Sequence, residues 1–563
     1  MPSKYYLLPA AILAAQLAPL HAADDSERIA ADMKASTNYD ATGFDFQAAA
    51  GPVKPTAQSL GENYHCPDWF RDAKFGIYMH WGLGSVAGFN GHYARFMYHQ
   101  QEPETARIDR ETKRPIVSGY SPGMESVYEY HVKTFGHPSQ FGYKDFIPLW
   151  KADKFDAPAL AALYKQCGAK YIGVMAVHHD NFDLFNSTWQ PWNSYRMGPK
   201  IDVVGAWQQA CAKEHLRFAI TSHMSDGYHE HQFYQGESDT TGPLKGVPYD
   251  TLDPKNDGLY GKRTPDRLKR LNPEFAQSWY HRTKELIDKY NPDLIYLDGG
   301  LPDGAYGLNL AAHFYNHYLK VNGKAEGVFT IKQKSPPGFT LDVESAGVGQ
   351  GMTDPWQVDT TLNPGWFHLG GAAAASATKA TDDAGMAAAA TSKYGPDRIR
   401  MNAGQVIRNL VDIVSKNGNM MLNVGLRPDG SLPDTYRHEL LDIGSWLKVN
   451  GEAIYSTRPF KVFGEGPFEL PKTGKYNDNT FRFTAEDIRF TTRAGALYAI
   501  VLDVPKAEVR IKSLGQSAGK VTAVSLVGGK QPLHWKQESD ALVIQPADAW
   551  PSPFAVAFKI AMQ

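Results

Sequence analysis

Three cysteines in 563 residues, Cys66, Cys167 and Cys211, show no close spacing that resembles a disulfide framework or a zinc site; one disulfide can form and none is required. Cys167 and Cys211 fall in helix-like segments and read as small buried apolar residues. No H-E-x-x-H pair occurs. Charge of one sign is also missing: 58 Lys and Arg face 60 Asp and Glu without a long block of either. That balance gives no footing for a nucleic-acid or membrane-surface partner and suits a neutral or lightly charged ligand. No apolar run beyond the first residues reaches the roughly 20 residues a membrane span requires. Nothing in the pattern sets an oligomeric state.

What is present is a large apolar fraction, 42%, with 12% aromatic residues. That is enough to bury cores in more than one domain. At the N-terminus Lys4 precedes the apolar stretch Tyr5 to Leu20, which ends in His21-Ala22-Ala23 before Asp24-Asp25. Residues 1–23 read as a cleaved signal peptide, so a secreted or periplasmic protein is expected. The alternative, a membrane anchor, is opposed by Pro9, Gln16 and Pro19 inside the stretch.

Residues 24–60 are polar and rich in Ala, Asp and Gly, and read as a loosely packed lead-in. Over 61–458, β-rich runs alternate with helical patterns. The runs are Phe75 to Trp81, Tyr171 to His179, Phe218 to Met224, Leu294 to Asp298, Val328 to Lys332 and Met420 to Val424. Helical patterns cover Ala157 to Cys167, Val203 to His215, Glu274 to Tyr290, Ala311 to Val321 and Val406 to Lys416. This predicts an α/β fold, a (β/α)8-like (TIM-type) barrel. From 459 to 563 only short alternating runs remain, predicting a C-terminal antiparallel β-sandwich with strands at Phe481 to Thr484, Ile488 to Thr492, Leu497 to Val501, Val509 to Lys512, Val521 to Leu526 and Leu542 to Gln545. Tyr98 to Tyr143 fits neither pattern and reads as a long loop over the active face.

In such a barrel, polar residues at the C-terminal ends of strands converge on one site. These ends read His80-Trp81-Gly82, His178-His179-Asp180, Ser222-His223 and Asp298-Gly299-Gly300. Buried imidazoles and carboxylates are costly unless satisfied, so their convergence points to hydrogen bonding with a polyhydroxylated ligand. Other readings stay open here. His80 can be structural, and His178 and His179 can be a metal pair joined by His229 and His231. Adjacent strand residues point to opposite sides, however, so a straight strand presents only one of the two inward. Asp298 can merely cap the next helix.

The segment WFRDAKFGIYMHWG (69–82) is similar to the opening barrel strand of the α-L-fucosidases of glycoside hydrolase family 29. The resemblance continues through VHHDNFDLFNST (177–188), NPDLIYLDGG (291–300), VIRNLVDIVSKNGNMMLNVGLRPDG (406–430) and WLKVNGEAIYSTRP (446–459). It implies a retaining exo-α-L-fucosidase whose nucleophile is Asp298 and whose fucosylated glycan substrate is held by His80, Trp81, His178, His179, His223, Lys332 and Trp366. With the imidazoles given to sugar hydroxyls, no metal and no cofactor are expected.

The resemblance places the acid/base in the loop Phe339 to Thr361, where Glu344 is the only glutamate; Asp342, Asp354 and Asp359 are the alternatives. Gln357 stands where the family often carries a P-W-E glutamate, and an amide is no general acid. Gly91-His92-Tyr93-Ala94-Arg95 replaces the family's E-W-Y-A-R, with His92 as a partial substitute, and Val177 replaces a lysine. Lys332 stands for an arginine. These departures suggest a different aglycone or a modified fucose. Two other functions compete, a hydrolase of a related sugar such as α-L-galactose and a catalytically impaired carbohydrate-binding relative.

Overall fold

The computed structural model describes residues 41–100, 107–108, 115–116, 126–224, 237–261, 273–301, 304–332, 337–370, 397–470 and 478–563. The expected signal peptide, residues 24–40 of the lead-in, and His229 and His231 lie outside these residues.

Eight parallel strands close a barrel: β1 (Phe75–Met79), β2 (Tyr171–Val177), β3 (Arg217–Ser222), β4 (Leu294–Leu297), β5 (Val328–Ile331), β6 (Thr340–Asp342), β7 (Trp356–Thr361) and β8 (Gly418–Asn423). Each pairs with the next in chain order, and β8 pairs back onto β1. Helices α1 (Ala157–Gln166), α2 (Val203–Glu214), α3 (Pro273–Tyr290), α4 (Ala305–Asn322), α5 (Ala403–Ser415) and α6 (Asp434–Asn450) cover the outside. Covering both faces of a parallel sheet accounts for near-continuous apolar strands such as YIGVMAV in β2, buried along its whole length. Large and small residues alternate across the interior. A Cβ on Gly76 would meet the Tyr171 ring at 2.3 Å, so the glycine makes room for the tyrosine inside the barrel.

Helix starts follow the side chains that satisfy the first free amides. The Asp202 carboxylate accepts from Gly205 N at the start of α2, and Asn402 with Gln405 forms a reciprocal capping pair on α5.

Two strands, β6 and β7, fall where the sequence reads as loop. β6 is three residues long, and among the described residues no helix separates β5, β6 and β7, so the strand and helix alternation that marks the other units is missing. The described part of the lead-in is not loose. Phe44 and Phe46 pack edge-on against Tyr280, and Asn316 bonds Ala49 and Val53.

The C-terminal region is a five-stranded antiparallel sheet, β9 (Arg458–Glu465), β10 (Ile488–Arg493), β11 (Ala496–Val501), β16 (Val556–Met562) and β13 (Val521–Leu526) in spatial order. It packs on a three-stranded one, β12 (Val509–Ile511), β15 (Leu542–Ile544) and β14 (Trp535–Gln537). Phe490, Ile511, Leu542 and Phe558 are among the side chains buried between the two sheets. Phe481 to Thr484, expected as a strand, is irregular, its phenylalanines packed on Phe468. Of the expected long loop, most of 101–125 lies outside the described residues; Val127–Thr134 is a helix, and Tyr143 reaches the strand ends through a 2.8 Å bond from its hydroxyl to Asp180.

Candidate active site

The C-terminal ends of the strands gather one polar cluster. Asp298 follows β4, and its amide donates to Ser222 O at 3.0 Å. Gly299, at φ 92, then turns the chain away in a conformation that favours glycine. The carboxylate does not cap α4, whose N-terminus at Gly304 has no side-chain cap. It meets Lys332 Nζ in a close ion pair, His179 Nε2 at 3.5 Å, His223 Nε2 at 4.0 Å and the Tyr296 hydroxyl at 3.2 Å. Burial raises the Asp298 pKa, but Lys332, His223 and His179 outweigh it and hold the group well below the usual carboxylate range. Burial lowers the Lys332 pKa, and the facing Asp298, Asp359 and Glu344 reverse that and raise it well above normal.

His80, His178, His179 and His223 are all at least nine-tenths buried. Asn423, the last residue of β8, accepts from the backbone N–H of His80 at 2.8 Å and lies 3.0 Å from its Nδ1, so that nitrogen carries the proton and Nε2 is left as acceptor. His223 Nε2, 3.1 Å away, is then the donor to it. The His178 ring stands 5.4 Å from His80, 5.0 Å from His223 and 4.8 Å from Phe367. Burial drives His80 down to about 3 and His178 and His223 well below their ordinary value, so these rings are neutral. Neutral imidazoles offer both donors and acceptors, as sugar hydroxyls require.

A straight strand would present only one of His178 and His179 inward, but this strand does not run straight to its end. β2 ends at Val177, with a register shift between Met175 and Val177, and the turn that follows turns both rings into the cluster. Trp81 corrects the sequence expectation. Its indole stacks on Phe155 and meets Trp150 edge-on, its N–H bonds Arg427 O, and it is a packing residue, not a pocket wall. Trp366 does stand at the site, half-buried and tilted 37° over His80 with centroids 5.2 Å apart. His92 stacks on His179 at 5.2 Å, on the side where the family glutamate and tryptophan are missing.

Glu344 lies at the rim, 45% exposed, and accepts from Lys332 Nζ at 3.0 Å. Burial raises its pKa, Lys332 lowers it, and Asp359 and Asp298 raise it again, leaving it above the ordinary value. Asp354 is exposed on the loop between β6 and β7. Asp342 and Asp359 are buried inside the barrel beneath Asp298. Gln357, taken for a loop residue, is a buried residue of β7 whose amide donates to Asp342 at 2.8 Å. Tyr296 and Asn423 escaped the sequence reading. Tyr296 precedes Asp298 by two and so shares its face, a signal available from strand periodicity. Asn423 ends a strand, where the convergence rule applies equally.

His80, His178 and His223 bring one ring nitrogen each within 4.8 Å of one another, a spacing a metal ion would accept. The bonds of His80 to Asn423 and His223, with the His178 ring packed against both imidazoles, suit a sugar-facing set equally well.

A family model described as α-L-fucosidase matches residues 44–452, and one described as α-L-fucosidase C-terminal domain matches 481–561. Human tissue α-L-fucosidase is 25% identical over 88% of this chain and 89% of its own length. Human plasma α-L-fucosidase is 26% identical over 85% of each. Among solved structures, the α-fucosidase of Thermotoga maritima in complex with a mechanism-based inhibitor superposes with a TM-score of 0.63 at 26% identity, over 90% of this chain and all of that one.

Proposed function

The chain belongs to the α-L-fucosidase family and is a glycoside hydrolase, and from that premise we propose a retaining exo-α-L-fucosidase that removes terminal fucose from glycans in a secreted or periplasmic setting. Asp298 is the nucleophile. It is ionised, backed by Lys332, and flanked by imidazoles that bond the sugar hydroxyls. Its attack on the anomeric carbon forms a fucosyl-enzyme ester while Glu344 protonates the departing oxygen; Glu344 then removes a proton from the water that cleaves the ester. The Trp366 face lies beside His80, where it suits the apolar C6 methyl of fucose.

The observation that carries this reading is that Asp298 and Glu344 both touch one ammonium nitrogen. Two carboxyls so close match the separation of about 5 Å of retaining enzymes better than the wider gap of inverting ones. A sugar entering between them loosens the Lys332–Glu344 contact, which frees Glu344 to take up the proton it donates.

Incubation with 2-fluoro-fucosyl fluoride followed by peptide mass spectrometry tests the reading. A fucosyl adduct on the peptide carrying Asp298 is expected, and an adduct on another carboxylate, or none with an enzyme that turns over aryl fucosides, overturns it.

A further inference from the structure

Beneath the nucleophile lies a polar column that hydrolysis does not by itself explain. Asp342 ends β6 and Asp359 lies on β7, two positions beyond the residue paired with Asp342, so both side chains share the inner face of the barrel. Both are essentially inaccessible, and Asp342 Oδ1 and Asp359 Oδ1 are each buried without any conventional hydrogen-bond partner. Two bare anionic oxygens in a dry interior are strongly unfavourable, and a proton between them removes both penalties.

The remaining contacts decide where that proton sits. Asp359 Oδ2 faces the hydroxyls of Tyr78 at 3.2 Å and Tyr296 at 3.1 Å, with Lys332 Nζ at 3.7 Å. Asp342 Oδ2 has only the Gln357 amide, itself held by the Tyr171 hydroxyl at 3.2 Å. The negative charge belongs on the better-served Asp359, and the proton on Asp342. The Tyr296 hydroxyl, with one proton to give, bridges Asp359 to Asp298, and Lys332 faces both.

We propose that Asp342 and Asp359 hold one proton between their facing oxygens, and that this carboxylic acid and carboxylate pair positions Tyr296 and Lys332 and through them orients Asp298. Burial and the neighbouring Asp359 both push the Asp342 carboxyl well above its ordinary pKa, in keeping with that placement. The positioning role rests on Asp298 being the nucleophile. The shared proton does not.

The Asp342→Asn variant separates the ideas, because an amide reproduces a protonated acid: its carbonyl accepts from Gln357 and its N–H donates to Asp359. Asp342→Asn is expected to keep kcat within about 3-fold of the parent, whereas Asp359→Asn, which removes the charge that Tyr296 and Lys332 serve, should lose about 100-fold in kcat with little change in KM. The acidic limb of kcat/KM, set by Asp298, should stay in place in Asp342→Asn. In Asp359→Asn it should move to lower pH, since Lys332 then serves Asp298 more fully. Infrared difference spectra at neutral pH should show a carboxylic-acid carbonyl band that is present in the parent and in Glu344→Gln and disappears in Asp342→Asn whatever the turnover. Equal losses of kcat in the two variants overturn the positioning role, and persistence of the infrared band in Asp342→Asn overturns the shared proton.

Discussion

Two ionic clusters sit at opposite ends of the chemistry of this molecule. Where the barrel meets the sandwich, Asp412 on α5 accepts from Lys416 Nζ at 2.8 Å and from Arg489 Nε on β10 at 2.6 Å, all three side chains 3% exposed. One carboxylate has two cations. In the pocket the ratio is reversed, with Lys332 facing Asp298, Glu344 and Asp359 together. The junction is saturated, and its charges hold two domains in one geometry. Among the described residues one ammonium is shared by three carboxyls, and that sharing divides the group, leaving Asp298 ionised while Glu344 and Asp342 are pushed toward the protonated form. Carboxyls driven apart in this way are what acid and nucleophile roles require.

The contrast is broken most sharply at Asp298. Asp298→Gly should lower kcat by on the order of 10⁴-fold or more while the fold persists, measured with an aryl fucoside beside circular dichroism. Near-normal turnover would remove the nucleophile from this position. Glu344→Ala comes next. It should slow substrates with poor leaving groups by about 10²–10⁴-fold, activated aryl fucosides far less, and flatten the basic limb of the pH profile. Equal losses on both substrate types would move the role to another group, and the burial of Asp342 and Asp359 leaves few candidates.

At the junction the signature should be the reverse. Arg489→Met strands Asp412 with one partner and should cost about 3–5 kcal/mol of stability in urea unfolding, with kcat of the folded enzyme unchanged. Loss of kcat without loss of stability would erase the distinction between the two clusters.

A smaller effect separates two carboxyls of the pocket by pH. Asp342 binds its proton more tightly folded than unfolded, so its contribution to stability is complete below the unfolded pKa of about 4 and is lost as pH rises toward the raised folded value. Across that window the parent should lose up to about 1.4 kcal/mol per pH unit relative to Asp342→Asn. Asp298 acts in the opposite sense: its depressed folded pKa stabilises the protein above about pH 4, and that stability is lost as pH falls through the folded value. Smallest of all, if the rings of His80, His178 and His223 serve hydroxyls, EDTA should leave turnover unchanged; a loss restored by added zinc would return them to a metal.

Much of this was legible in the sequence, and the exceptions have physical causes. Six barrel strands are visible because burial on both faces makes them continuously apolar. β6 and β7 are not, since their inner face carries Asp342, Gln357 and Asp359, and a strand lining a polar column looks like a loop. Asp298 and three of the four histidine directions follow from strand ends alone. The inward turn of both His178 and His179 depends on where β2 stops, and the outward packing of Trp81 depends on Trp150 and Phe155, distant in sequence. In the sandwich, β9 hides because Pro459, Gly464 and a half-exposed pattern mark it as an edge strand.

The central claim, that Lys332 holds Asp298 ionised as the attacking carboxylate, is tested most directly by adding azide to Asp298→Gly with an aryl fucoside and reading the product by NMR. Recovered turnover giving fucosyl azide of inverted anomeric configuration is the predicted result, because azide then attacks from the space the carboxylate vacated. Recovery with retained configuration, or azide-independent turnover at the parental rate, would contradict it.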